Sequence, residues 1–206
     1  RPEVIIHCAT YGGHMTSEQD QRKIVNTNFS GTMHLLRACS EVGFRCFINT
    51  GSSSEYGQVD GAMKESLLPQ PHNLYGVTKT AATLYCNSIA RSQNKSIITF
   101  RPFSPYGPFD SKDRLIPKLI FDFLAGHTHI NLYSPTAVRD YVFIDDVVQA
   151  YHLAAVKADK ITAPVFNIGS GTQHTIDEVV NSMARLFGAH PKISYNGTGF
   201  KQKEPR

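Results

Sequence analysis

The sequence predicts an α/β fold built on a parallel sheet. Three observations predict it. Apolar runs recur at residues 4–8, 45–50 and 96–101, as strands buried on both faces require. Stretches with helical periodicity lie between them, at 18–42 and 73–94. Alternation of this kind builds right-handed βαβ units and a parallel sheet.

The elements follow in order. Val-Ile-Ile-His-Cys at 4–8 is the first strand, and Gly12-Gly13 breaks the chain after it. In the helix at 18–42, Ile24, Met33, Leu35, Leu36 and Ala38 supply apolar positions, and Gly43 is a fitting stop. The strand at 45–50 ends in Gly51-Ser52-Ser53-Ser54. A loop rich in Gly, Pro and Gln leads to the helix at 73–94, and the strand at 96–101 ends at Pro102. Beyond it come a helix at 114–125, strands at 130–133 and 141–144, a helix at 145–156, a strand at 165–168 and a helix at 175–187. Asp145 and Asp146 sit where acidic residues cap a helix. Thr175 and Glu178 have the spacing of a capping box. Ligands of parallel sheets lie beyond the carboxyl ends of the strands. The loops after Cys8, Thr50, Arg101 and Ile168 are therefore the informative ones.

Composition narrows the function classes. With 41% hydrophobic and 18% charged residues, the 206-residue chain is neither disordered nor fibrous. No apolar run approaches the ~20 residues of a membrane helix. The net charge of +4 is dispersed, which argues against nucleic acid as a partner. Cys8, Cys39, Cys46 and Cys86 form no Cys-x-x-Cys pair, so four buried thiols in a reducing, cytoplasmic setting are expected. His127 and His129 lack a third ligand nearby, so no metal is expected. Residue 1 is Arg, two residues before a strand, and the chain stops in a loop-like segment. A fragment is therefore expected.

Tyr75 and Lys79 stand four apart on a helix and share one face. An ammonium beside a phenol favours the phenolate, and the phenol can then serve as acid or base. About 0.5 such pairs are expected by chance, so the spacing alone is weak. Ser52, Ser53 and Ser54 add hydroxyls just after a buried strand, at the ligand edge, where one could share a hydrogen bond with Tyr75 and a substrate oxygen.

Together, Ser-Ser-Ser-Glu-Tyr-Gly at 52–57 and Tyr-x-x-x-Lys at 75–79 resemble the extended short-chain dehydrogenase/reductases, in their NAD-dependent epimerase/dehydratase branch. The resemblance covers almost the whole chain. It also includes Ile-Ile-His-Cys-Ala-Thr at 5–10, Asn-Phe-Ser-Gly-Thr at 28–32 and Arg-Pro-Phe-Ser-Pro-Tyr-Gly-Pro at 101–108. Arg-Asp-Tyr-Val-Phe-Ile-Asp-Asp at 139–146 and Phe-Asn-Ile-Gly-Ser-Gly at 166–171 complete it.

The resemblance implies a Rossmann-type parallel sheet, incomplete because its first βαβ units are missing, with a smaller interleaved substrate-binding lobe: 1–101 belongs to the sheet domain, 102–138 with 170–206 to the lobe, and 139–169 returns to the sheet. It implies a nucleotide-sugar enzyme that transfers a hydride at a hexose carbon with NAD or NADP. It makes Tyr75 the acid/base, Lys79 the ribose ligand and Ser52 the catalytic hydroxyl, with Ser53 as fallback. It places His7, Ala9, Asn28, Thr50, Tyr75, Lys79 and Pro102 at the cofactor. It places Ser53, Ser104, Arg114, Leu115, Arg139 and Arg206 at a nucleotide-diphosphate sugar, with Arg139 as the diphosphate ligand. It implies a homodimer paired through the helices at 18–42 and 73–94.

Three departures stand out. Ser53 and Ser54 replace the acids that 4,6-dehydratases carry there, and Glu55 is one place out of register. Ser104 replaces an Asn. The Gly-x-x-Gly-x-x-Gly turn is absent from these residues, so the 206-residue chain alone is expected neither to hold NAD nor to turn over. Epimerase or 4-keto reductase is the leading expectation. The alternatives are a 4,6-dehydratase and a non-catalytic dinucleotide-binding relative. The selector between NAD and NADP is expected upstream of residue 1.

Overall fold

A computed structural model describes residues 2–12, 18–59, 61–161 and 164–195. In chain order its elements are β1 Val4–His7, α1 Glu18–Val25, a π-helical turn Asn26–Gly31, α2 Thr32–Val42, β2 Cys46–Thr50 and a 3-10 turn Ser53–Glu55. Next come α3 Leu74–Gln93, β3 Ile97–Pro102, β4 Ser104–Tyr106, α4 Leu115–Leu124, β5 His129–Leu132, β6 Val138–Arg139 and β7 Tyr141–Phe143. Last are α5 Ile144–Val156, a 3-10 turn Ala158–Lys160, β8 Val165–Ile168, β9 His174–Thr175, α6 Ile176–Phe187 and β10 Lys192–Tyr195. The chain divides into two compact units. One holds residues 1–102 and 147–168, the other 103–146 and 169–206. The return to the first unit thus comes at Val147, later than the expected Arg139. β7 explains the delay, because it pairs with β4 of the second unit.

The first unit is built on a parallel sheet in the order β1-β2-β3-β8. β2 is interior, and Cys46, Phe47 and Ile48 are fully buried. Leu36 of α2, Phe47, Cys86 of α3 and Ile97 form one core cluster. Each such side chain contributes on the order of 1.5–3 kcal/mol by leaving water. The expectation that 4–8 is buried on both faces fails. β1 is the end strand of this sheet as described, and Ile6 is 48% exposed. Only two of the four thiols, Cys46 and Cys86, are buried. Cys8 lies past the end of β1 and is exposed, and Cys39 is half-buried on α2. The expected single helix at 18–42 carries a π turn in its middle. α3 keeps nearly its expected span. The Asn73 side chain accepts the Gly76 N–H at 2.7 Å and starts it, and Asn94 in the left-handed conformation ends it.

In the second unit β4 runs parallel to β7, β5 parallel to β10, and β6 antiparallel to β9. Leu119 and Phe123 of α4, Ile130 and Leu132 of β5, and Val180 and Ala184 of α6 form its core. α6 opens with the expected capping box: the Glu178 N–H donates to Thr175 Oγ1 at 3.1 Å and the Thr175 N–H to Glu178 Oε2 at 2.8 Å. Asp140 ties down the turn after β8, accepting the N–H groups of Ser170 and Gly171 at 2.8 and 2.9 Å. Asp145 and Asp146 occupy the first turn of α5. His127 contacts Asp122 at 3.0 Å and His129 contacts Asn131 at 3.0 Å. Among the described residues no helix is long and apolar enough to cross a membrane.

Candidate active site

The carboxyl edge of the first unit's sheet is assembled from four segments. The loop after β1 is held by Asn28, which the π turn places inside the protein at 1% exposure. Its carbonyl oxygen accepts the Tyr11 N–H at 2.8 Å and the Thr10 hydroxyl at 3.3 Å. Its amide donates to the Tyr11 carbonyl at 3.0 Å and to Thr78 Oγ1 at 3.3 Å. Asn28 therefore braces the loop against α3, one turn from Tyr75. A π turn widens the helix by one residue, and such insertions are frequent at functional sites. The buried His7 ring meets Thr32 Oγ1 at 2.9 Å, and Thr32 donates to the Asn28 carbonyl at 2.8 Å. Burial, then the Lys79 charge, holds the His7 pKa below its ordinary value. Ala9 is exposed at this edge.

The serine turn follows β2. Ser52 is extended, and its Oγ accepts the Ser54 N–H at 3.1 Å. A hydroxyl has one proton to give, so this leaves the Ser52 proton for donation. Ser53 is half-buried beside it. α3 comes hard against this turn. A Cβ on Gly76 would stand 2.6 Å from the Ser54 carbonyl oxygen, so only glycine permits the approach.

Tyr75, half-buried, and Lys79, 3% exposed, share one face of α3, with the ammonium 5.8 Å from the ring centre. Lys79 Nζ donates to the Thr50 carbonyl at 2.9 Å. Burial lowers its pKa to about 8, against the opposing pull of Glu55 and Cys8. The Thr50 hydroxyl and the Tyr151 hydroxyl share a hydrogen bond at 2.7 Å. Pro102 ends β3 in register with Ile168. Thus His7, Ala9, Asn28, Thr50, Ser52, Ser53, Tyr75, Lys79 and Pro102 all belong to the first unit.

Behind this edge lies a polar network that the sequence did not reveal. Glu55 is fully buried. Its carboxylate accepts Arg101 Nε and Nη2, each at 2.9 Å, and the Thr83 hydroxyl and Ser52 N–H, each at 3.0 Å. Burial raises its pKa while Arg101 opposes the rise. Arg101 also stacks on Tyr56 at 4.5 Å, and Tyr56 donates to Asn167 Oδ1 at 2.7 Å.

The second unit carries the other predicted residues. Arg114 precedes α4 and pairs with Asp110 at 3.4 Å, and Leu115 opens the helix. Ser104 begins β4, and its N–H donates to the Asp140 carbonyl at 2.9 Å. Arg139 donates to the Val138 carbonyl at 3.1 Å. Burial lowers the Arg139 pKa, Tyr141 opposes this, and the Arg114 charge adds to it, so the two guanidinium groups feel each other. Arg206, with the terminal stretch 201–206, lies outside the described residues. A cavity of about 820 Å³ opens in this unit, lined by Tyr106, Phe109, Ile116, Phe121, Phe143 and Met183 among others. None of the predicted substrate residues that are described lines it.

Relatives share this architecture. A trifunctional UDP-glucose 4,6-dehydratase/UDP-4-keto-6-deoxy-D-glucose 3,5-epimerase/UDP-4-keto-L-rhamnose-reductase of Arabidopsis thaliana is 30% identical over 92% of this chain. The chain spans only 29% of that protein's length. The solved RMD of Pseudomonas aeruginosa, complexed with NADPH, superposes with a TM-score of 0.89 at 25% identity, covering 99% of this chain and 71% of that one. A UDP-glucuronic acid 4-epimerase variant of Bacillus cereus, in complex with a UDP-sugar and NAD, gives 0.88 at 29% identity, covering 98% and 64%. The sequence profile of the NAD dependent epimerase/dehydratase family matches residues 1–169, the stretch that carries the serine turn, Tyr75, Lys79 and the whole four-stranded sheet. The chain belongs to the NAD-dependent epimerase/dehydratase family.

Proposed function

We propose that the whole protein is an NAD(P)-dependent nucleotide-sugar epimerase or 4-keto reductase that moves a hydride at a hexose carbon. One observation carries the reading: Tyr75 and Lys79 share a face of α3, and the ammonium is bonded to the Thr50 carbonyl two residues before Ser52. The residues present fit the nicotinamide-ribose half of a dinucleotide. Small exposed side chains line the end of β1, and Lys79 keeps two N–H donors beyond the one given to Thr50. When bound, the nicotinamide supplies a hydride acceptor and donor. Tyr75 takes the proton of the sugar hydroxyl and returns it in the reverse step. Ser52 donates to the same oxygen, and Lys79 holds the ribose. Arg139 and Arg114 are assigned to the substrate diphosphate, because an anion between two mutually repelling guanidinium groups relieves both.

A 4,6-dehydratase is the weaker reading. The acid of the turn, Glu55, is fully buried and committed to Arg101, while positions 53 and 54 are serines. A non-catalytic relative is weaker still, since binding alone has no use for a tyrosine, a lysine and a serine together at the ligand edge. The reading includes a homodimer through α1–α2 and α3, supported by exposed Leu35, Val42, Val77 and Leu84 on those helices. It also includes a cytoplasmic setting. The test is a panel of nucleotide-diphosphate sugars given to the whole protein with NAD or NADP. Steady cofactor oxidation identifies a reductase. Sugar interconversion without net oxidation and without mass change identifies an epimerase, and loss of water identifies a dehydratase. No reaction with any sugar contradicts the proposal.

A further inference from the structure

We infer that Glu55 is a positioning residue: its buried carboxylate fixes the backbone of Ser52 and thereby aims the Ser52 hydroxyl. The inference rests on the roles proposed above for Ser52, Tyr75 and Lys79. A buried carboxylate is unfavourable unless it is paired and fully hydrogen-bonded. Here both oxygens are satisfied. Arg101 binds Oε2 from behind, and Thr83 and the Ser52 N–H bind Oε1. The carboxylate also lies against the backbone of residue 51. A Cβ on Gly51 would stand 2.3 Å from Oε1, so the glycine leaves room for the acid.

The anchor behind it is itself held by further contacts. Arg101 stacks on Tyr56, whose hydroxyl donates to Asn167, whose amide donates to the Met63 carbonyl at 2.8 Å. The frame therefore ties together the ends of β2, β3 and β8. It reaches the ligand edge through the Ser52 N–H. With that N–H held, the Ser54 N–H caps Ser52 Oγ, and the remaining proton is directed out of the turn.

The same carboxylate reaches the second half of the site. Its charge favours protonated Lys79 against burial. The other groups around Lys79 are His7 and Cys8 at the end of β1, Tyr75 on its own helix, and Tyr151 bonded to Thr50. An ion pair that serves the fold alone would leave the pH profile of turnover untouched.

The test is Glu55→Gln in the whole protein, which keeps size and one acceptor and removes the charge. A misplaced catalytic group costs up to about 100-fold, so kcat is expected to fall between about tenfold and 100-fold. KM for the nucleotide sugar is expected to stay within about twofold. A pH–rate limb set by Lys79 is expected to move to lower pH, because the variant lacks the charge that favours the protonated ammonium. A folded variant that lacks either the kcat loss or the limb shift overturns the inference. Where Glu55→Gln does not fold, Thr83→Val removes one donor to Oε1 and nothing at the ligand edge. A lower kcat at unchanged KM then supports the inference, and wild-type kcat overturns it. Tyr75→Phe separates the two readings. Turnover surviving in Tyr75→Phe overturns the proposed function itself, while its loss beside wild-type behaviour of Glu55→Gln overturns only the positioning role.

Discussion

At the scale of single residues, Lys79 trades stability for placement. Its pKa falls from 10.5 to about 8 in the folded protein, chiefly by burial. Unfolded chain therefore holds the proton up to about 10.5 and folded chain only up to about 8. Between those values the unfolded state binds more protons, so stability rises with pH; below 8 the full penalty applies. It amounts to about 3 kcal/mol at 1.36 kcal/mol per unit. Lys79→Met is therefore expected to be at least as stable as the parent at pH 7 in urea unfolding, and to lose turnover. A loss of more than about 1 kcal/mol would mean that the Thr50 bond outweighs burial. The Tyr75–Lys79 pair was legible because a spacing of four places two side chains on one helix face. The role of Glu55 was not. Its partners Thr83 and Arg101 lie 28 and 46 residues away, so the residue read only as an acid out of register.

At the scale of elements, the close approach of α3 to the serine turn brings the candidate site together. Gly76→Ala would place a Cβ 2.6 Å from the Ser54 carbonyl oxygen. Backbone cannot yield there as a flexible side chain would. The expected result is a stability loss of about 1–3 kcal/mol together with a lower kcat in the whole protein. Wild-type values for both would show that the turn accommodates α3 freely. Strands β2 and β3 were readable because buried parallel strands are plain apolar runs, and half-buried β8 by its Val165, Phe166 and Ile168. Within the described sheet β1 stands at one end and Ile6 is exposed. Strands β6 and β9 have two residues each, too few for a period to register. The π turn was hidden for a related reason: one extra residue in a helix leaves the apolar pattern on either side intact.

At the scale of the whole molecule, the four parallel strands put the informative loops on one edge, as the alternation of strands and helices implied. In the proposed reading, the described part of that edge receives the ribose end of a dinucleotide. No Gly-x-x-Gly-x-x-Gly turn occurs in the 206 residues. A phosphate-cradling turn of that kind supplies backbone N–H groups to the pyrophosphate. Calorimetric titration of the 206-residue chain with NAD is accordingly expected to give no binding heat. Saturable binding would show that the ribose end suffices. The account's central claim is that Tyr75 exchanges the proton during hydride transfer at a sugar carbon. It is tested most directly by nucleotide-sugar turnover of the whole protein and its Tyr75→Phe variant at equal concentration. Loss of the acid/base is expected to lower kcat by about 100-fold to 10,000-fold with the fold intact. Turnover of Tyr75→Phe at the wild-type rate would contradict it.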